Sequence, residues 1–105
     1  MPNSYDPTRD PYAAVSRSPS EPGAVAQALT PNDGADLPLY CKAFRVYVPL
    51  SLQGASVRVT PVLANDDLAT VTLSFPQGIS YEPLSIRRIW ATGTSTGIEI
   101  HGYAI

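Results

Sequence analysis

The run Gly93-Thr94-Ser95-Thr96-Gly97 matches the Gly-x-Ser-x-Gly pattern that presents a nucleophilic serine in many hydrolases. That chemistry needs a strand before the serine, a helix after it, and a histidine base held by an acid. Here the following residues alternate like a strand, and the single histidine, His101, comes just downstream with no aspartate between it and Ser95. We therefore predict that the run is a turn between two strands and that the protein is not an enzyme.

The other residues with metal-binding chemistry do not have the spacing of a known site. His101 has no second histidine, and Cys41 is the single cysteine, so neither zinc ligation nor an intrachain disulfide is expected. Asp33-Gly34 and Asp66-Asp67 do not follow the calcium-loop spacing and are typical of turns. We predict no metal and no cofactor, and we expect Cys41 to pack as a small apolar residue.

The composition excludes several classes of partner. The chain has 105 residues, room for one domain, with a net charge of −2 and seven Lys or Arg residues. It therefore lacks the basic surface that nucleic acids or anionic membranes require. The N-terminus lacks the pattern of a signal peptide, and no apolar run approaches the ~20 residues that span a bilayer. These features predict a protein made and assembled in the cytoplasm.

Residues 1–28 differ in composition from the rest of the chain. They contain five prolines but no Leu, Ile, Phe or Trp, so they cannot form a core and are predicted to be an extended arm. One helical turn over residues 24–29 is possible. We expect the arm to lie along a partner, with wrapping over its own domain as the alternative. The predicted partner contacts in the arm are Tyr5, Arg9, Tyr12, Val15 and Arg17.

Residues 29–105 have the alternation of apolar and polar side chains that predicts β-strands. The pattern is clearest where Val71, Leu73 and Phe75 alternate with Thr72 and Ser74. Glycine and Asn-Asp runs separate the segments as turns. Five or six short strands predict an all-β domain, a small antiparallel sandwich or barrel. The predicted strands lie within residues 44–48, 56–60, 70–75, 84–91 and 98–101.

Some strands carry apolar residues on both faces, more than one core can bury. In 84–91, regular alternation places Ile86 and Trp90 on one side and Ile89 on the other, with Arg87 and Arg88 facing opposite ways. The surplus apolar surface suggests an interface between copies. The residues predicted for this oligomer interface are Tyr47, Arg87, Ile89, Tyr103 and Ile105.

An ordered set of short motifs from Leu29 onward resembles the spike-base proteins of gene transfer agents and related tailed phages. The most specific segment is Ala91–Ile98, with its Thr-Gly-Thr turn. Two departures are Pro49, where the family tends to have glycine, and a longer stretch over 60–69. The other motifs are Leu29-Thr30-Pro31-Asn32-Asp33, Asp36-Leu37-Pro38, Phe44-Arg45-Val46-Tyr47-Val48, Val57-x-Val59, Val71-Thr72-Leu73-Ser74-Phe75 and Pro83-Leu84-Ser85-Ile86-Arg87-Arg88-Ile89.

The resemblance implies a structural subunit on the capsid surface of a virion. It would form a homo-oligomeric ring, a pentamer, at a vertex and join the major capsid protein to a spike or fibre. A lattice-covering decoration protein remains an alternative. A second is a glycan- or receptor-binding β-domain of a tail or fibre, in which Tyr81, Trp90 and Tyr103 stack on sugars.

Overall fold

A computed structural model describes residues 3–11 and 25–104 of the chain. Within these ranges it contains one short 3-10 helix, Pro7–Arg9, and seven β-strands. The strands are β1 (Val25–Ala28), β2 (Ala43–Val48), β3 (Ala55–Pro61), β4 (Val71–Phe75), β5 (Gly78–Glu82), β6 (Ile86–Trp90) and β7 (Glu99–Ala104).

The strands form two antiparallel sheets packed face to face, as the alternating pattern predicted. One sheet has the order β1-β7-β2-β5 and the other the order β4-β3-β6. Their facing side chains form one apolar core, in which Phe44 contacts Phe75 edge-on with ring centroids 6.2 Å apart. The all-β sandwich is thus confirmed. The buried core residues include Leu29, Leu37, Cys41, Val46, Val48, Val57, Val59, Ile86, Ile89 and Ile100.

Strands β1 and β5 form the two edges of the four-stranded sheet, and neither was predicted. β1 pairs with β7 from Val25↔Ala104 to Ala28↔His101, inside the range assigned to the arm. The suggested helical turn over residues 24–29 is therefore wrong, because the backbone donors and acceptors of this segment bond to β7 instead. β5 pairs with the other side of β2.

The chain changes sheet between β4 and β5. Only Pro76 and Gln77 separate Phe75 from Gly78, yet β4 belongs to the three-stranded sheet and β5 to the four-stranded one. Gly78 has a φ of 96°, a backbone conformation that is unfavourable for residues with a Cβ atom. Because the connection is so short, the outer edges of β4 and β5 lie on the same side of the sandwich.

The free edge of β6 is covered by the segment that precedes β2. Asn32 N–H donates to the Ile89 carbonyl at 2.8 Å, and Leu37 N–H donates to the Arg87 carbonyl at 2.7 Å. Cys41 and Ile86 exchange two further backbone hydrogen bonds. The Cys41 thiol is buried, and burial raises its pKa, so it packs as an apolar group as predicted.

At Gly102, β7 packs closely against Cys41 and Leu29. A Cβ atom there would overlap the Cys41 Sγ atom and lie 2.9 Å from Leu29 Cδ1. We expect Gly102→Ala to lower the free energy of unfolding by about 1–3 kcal/mol, because the packed core must shift to admit a methyl group. Urea unfolding measures this loss. Gly34→Ala is the matched control, since its Cβ would meet only Asn32 Oδ1 at 3.4 Å; equal losses in the two variants would contradict the packing argument.

Candidate interface surfaces

A β-bulge in β6 brings two arginines to the same side of the sheet. Thr60 pairs with Arg88 and Pro61 with Ile86, so Arg87 is an extra residue without a partner in β3. A bulge places two successive side chains on one face, where regular alternation would separate them. Arg87 and Arg88 consequently point together to the outer side of the three-stranded sheet, which corrects the prediction that they face opposite ways.

Two buried aspartates meet these arginines. Arg88 Nε lies 2.8 Å from Asp36 Oδ1, and Arg87 Nη2 lies 2.9 Å from Asp67 Oδ1. Weaker cross-contacts join Arg87 to Asp36 at 4.0 Å and Arg88 to Asp67 at 3.6 Å. The Arg87 side chain has no exposed surface. We call Asp36, Asp67, Arg87 and Arg88 the charge cluster; its opposite charges balance, which makes its burial tolerable.

The N-terminal segment closes over the charge cluster. The Ser4 hydroxyl donates to Asp36 Oδ2 at 2.8 Å, and Ser4 N–H donates to Asp67 Oδ1 at 2.8 Å. Arg87 Nη1 donates to Asn3 Oδ1 at 2.7 Å. These contacts join residues 32 to 84 positions apart in sequence. The described part of the arm therefore packs on its own domain at this point.

Tyr40 holds the following residues of the arm in place. Its hydroxyl accepts a hydrogen bond from Asp6 N–H at 2.8 Å and donates to Asp36 Oδ2 at 3.1 Å. Its ring packs on Tyr5 with centroids 5.8 Å apart. Tyr40 N–H donates to the Arg9 carbonyl at 2.8 Å. Backbone and side-chain contacts thus attach the segment to the domain from Asn3 to Arg9.

The Asp67 carboxyl predicts how stability responds to acid. Burial alone would raise its pKa, but hydrogen bonds from Ser4 and the charges of Arg87 and Arg88 outweigh burial and lower it. A folded-state pKa below the unfolded value of about 3.9 stabilises the fold above that pH, and the contribution is lost as pH falls through the folded pKa. We expect the free energy of unfolding to drop below about pH 4. Urea unfolding between neutral pH and pH 2 tests this, and Asp67→Asn should flatten part of the slope; an unchanged slope would contradict it.

A second surface is the outer face of the four-stranded sheet, which carries aromatic residues around one arginine. In the strand register Arg45 lies opposite both Tyr81 and His101, while Tyr47 lies opposite Ile79. Ile79 is 65% exposed and Tyr81 53% exposed. The Tyr81 and Tyr103 rings pack at 6.2 Å between centroids. Exposed Glu99 lies opposite Tyr47 on the same face. We call this surface the tyrosine face; it consists of Arg45, Tyr47, Ile79, Tyr81, Glu99, His101 and Tyr103.

Arg45 is the one arginine on this face and lacks a carboxylate partner among the described residues. Its Nη2 lies 3.4 Å from Nδ1 of His101, which accepts this bond only in the tautomer with Nδ1 unprotonated. Its buried Nε has no hydrogen-bond partner. Guanidinium groups bind carboxylates strongly, and half-buried Arg45 lies at this surface without one among the described residues.

The predicted interface residues separate into two groups. Tyr47 and Tyr103 lie half-buried on the tyrosine face. Arg87 and Ile89 are instead 0% and 1% exposed, so they have no surface to offer a second copy. Their inclusion in the oligomer interface is corrected: Arg87 belongs to the charge cluster, and Ile89 belongs to the core. Ile105 lies outside the described residues.

Of the five partner contacts predicted in the arm, two lie within the described residues. Tyr5 is half-buried against Tyr40, while Arg9 is exposed and pairs with Asp6 at 3.6 Å. Tyr12, Val15 and Arg17 lie outside the described residues.

Ser95 of the Gly-x-Ser-x-Gly run and Trp90, the proposed sugar-stacking residue, both make contacts within the fold. Ser95 lies in the connection between β6 and β7, and its hydroxyl accepts a hydrogen bond from Ser56 N–H at 3.0 Å. Trp90 is 8% exposed, and the guanidinium groups of Arg58 and Arg88 contact its ring, so it is not free to stack on a sugar.

Within residues 3–11 and 25–104, no group of three or more His, Cys, Asp or Glu side chains could hold a metal ion. The same ranges contain no helix long and apolar enough to cross a membrane.

Comparison with solved structures adds the decisive likeness. One chain of the structure "Capsid of native GTA particle computed with C5 symmetry" matches with a TM-score of 0.61 and 26% sequence identity. The alignment covers 90% of this chain and 98% of the other. The chain is similar to a component of a GTA capsid. Because the match spans nearly the whole of both chains, the likeness concerns the sandwich as a unit and not a single motif.

Other comparisons were negative. No protein-family model matches the chain, and no curated protein sequence matches it. The likeness to the GTA capsid component therefore carries the functional argument together with the surfaces described above.

Sequence reasoning missed Asp36, Asp67, Ile79 and Arg45 as members of these surfaces. The signal for Ile79 was present, since Ile79-Ser80-Tyr81 alternates between Gly78 and Pro83. The aspartates carried no such signal, because a turn aspartate and a buried ion-pair partner have the same local sequence.

Proposed function

We propose that this chain is a structural protein of a phage-like particle and lies on its capsid surface. The match to a GTA capsid chain, at 26% identity over 90% of this chain, is the observation that carries the proposal. A net charge of −2 and a compact sandwich agree with a role in protein–protein assembly.

Within that class we propose the vertex spike base. The chain would form a ring of five copies that joins the major capsid protein to a spike or fibre. The C5 symmetry of the matching capsid structure and the ordered motifs from Leu29 onward support this assignment. A closed ring needs two different contact surfaces on each copy, and Tyr47 and Tyr103 are proposed to belong to one of them.

The N-terminal arm is proposed to contact the capsid. Arg9 is exposed at the end of the docked segment, beside the half-buried Tyr5, and the chain continues from there into residues 12–24. In this proposal Tyr12, Val15 and Arg17 extend the same contact.

The test is the copy number and position of the chain in purified particles. Quantitative mass spectrometry, with the major capsid protein as internal standard, should find a few tens of copies per particle. A vertex-focused reconstruction should show the sandwich around the five-fold axis. Hundreds of copies would assign a lattice-covering decoration protein instead, and absence from particles would overturn the proposal.

One observation favours a second candidate, a glycan- or receptor-binding domain. The adjacent, partly exposed Tyr81 and Tyr103 could stack on a sugar ring, although the buried Trp90 could not join them. A glycan array with the isolated protein, and Tyr81→Ala as the control, decides this alternative.

A further inference from the structure

A second exposed apolar surface lies in the connection between β3 and β4. Leu63 is 70% exposed and Leu68 56% exposed. Asp66 lies between them in sequence, and its Oδ1 accepts the N–H of Leu68 at 3.0 Å, the one side-chain hydrogen bond that Asp66 makes with the described residues. No cation lies within 4.0 Å of Asp66 among the described residues. We call residues 62–70 the leucine loop.

The backbone of the leucine loop is held, so its leucines are presented in a defined position. Val62 N–H donates to the Ser85 carbonyl at 3.1 Å, and the Thr60 hydroxyl donates to the Asp67 carbonyl at 2.8 Å. Asp67 is fixed in the charge cluster. Leu63 and Leu68 are each more than half exposed on a loop whose backbone is fixed by hydrogen bonds. Exposed apolar side chains of this kind are typical of protein–protein interaction sites.

The leucine loop and the tyrosine face complement each other in both charge and polarity. The loop offers the Asp66 carboxylate, with Leu63 and Leu68 on either side of it in sequence. The face offers the Arg45 guanidinium, which contacts His101 but has no carboxylate partner among the described residues, with Tyr81 and Tyr47 next to it in the strand register. An Arg–carboxylate pair in a partly desolvated contact is stronger and more directional than one at an open surface.

Two copies that met by their tyrosine faces about a two-fold axis would form a closed dimer, because both copies would use the same surface. A contact between different surfaces, the face of one copy and the loop of the next, is the type that builds rings.

We propose that the tyrosine face of each copy receives the leucine loop of a neighbouring copy, with Asp66 of the loop paired to Arg45 of the face. This inference rests on the proposed function, since it names the two surfaces that a ring of this chain would use.

Charge reversal tests the pairing in the full-length protein. We expect the wild type to self-associate in native mass spectrometry and light scattering, and Arg45→Glu and Asp66→Arg each to shift it to monomer, at least tenfold weaker in association. The double variant, Arg45→Glu with Asp66→Arg, should recover association, because the pair is restored with its charges exchanged. Ser74→Glu is the control: it places a new carboxylate on the exposed side of β4, outside both surfaces, and should associate like the wild type.

Circular dichroism and thermal unfolding of each variant separate loss of contact from loss of fold. The inference is overturned if either single variant associates like the wild type, if the double variant fails to recover while remaining folded, or if the wild type stays monomeric at its highest soluble concentration. The particle measurements under the proposed function are independent of these results, so a capsid protein with a different ring contact would be recognised as such.

Discussion

Asp36→Ala is expected to bring the protein close to its unfolding limit. Asp36 binds Arg88 at 2.8 Å, accepts the Ser4 hydroxyl and accepts the Tyr40 hydroxyl, and its side chain is 2% exposed. Removing it leaves one carboxylate for two buried arginines. Breaking a buried ion pair by removing one partner costs about 3–5 kcal/mol because the remaining charge has no compensation. Small domains have roughly 5–15 kcal/mol of stability in total, so this loss is decisive.

Urea unfolding followed by circular dichroism measures the loss in Asp36→Ala. The matched control is Asp33→Ala, three residues earlier, because Asp33 also accepts hydrogen bonds, from the Thr92 hydroxyl and N–H, but does so at the surface. Its loss should be much smaller. If the two variants unfold at similar urea concentrations, the charge cluster does not hold the fold as described.

Removal of the first ten residues is the second prediction with a large expected effect. A chain that starts at Pro11 loses Asn3 and Ser4, which bond to Arg87, Asp36 and Asp67. Net contributions of hydrogen bonds to charged groups are about 1.5–3 kcal/mol each, and water replaces part of them once the segment is gone. We therefore expect a loss on the order of 3 kcal/mol, with a sandwich that still folds but unfolds at lower urea concentration.

A double-variant cycle assigns that loss to the charge cluster. Ser4→Ala should destabilise the full chain by removing the hydroxyl that donates to Asp36 Oδ2 at 2.8 Å, and the same change should matter much less when Asp36 is already Asn. Thr8→Ala, on the exposed 3-10 helix of the same segment, serves as the control, since within the described part of the chain its hydroxyl donates only to Asp6, at 2.7 Å. Unchanged stability of the shortened chain would show that the segment rests on the domain without stabilising it.

These predictions follow from contacts that no local pattern indicates. Period-two alternation correctly located β2, β3, β4 and β7, because the side chains of a strand alternate between core and solvent whatever lies around them. The glycines at 93 and 97 likewise marked a turn, and both have positive φ. Such features are properties of a few neighbouring residues.

Alternation correctly located β6, but it did not predict which of the β6 side chains face the core. Ile86 and Ile89 both enter the core, and Trp90 lies outside it, because the bulge at Arg87 shifts the alternation by one residue. The bulge arises from pairing with β3, near Pro61, and cannot be seen in β6 itself. Both arginines thereby reach the same two aspartates.

What the sequence by itself determined is an all-β domain and a proline-rich N-terminal arm, since alternation, turn residues and composition are properties of neighbouring residues. What only the tertiary structure decided is which residues meet: the hydrogen bonds of Ser4 to the charge cluster, the addition of β1 to the edge of a sheet, and the position of Arg45 opposite Tyr81 and His101 on the tyrosine face. Each of these contacts joins segments tens of residues apart. Their burial, charge balance and hydrogen bonding therefore depend on how the whole domain packs.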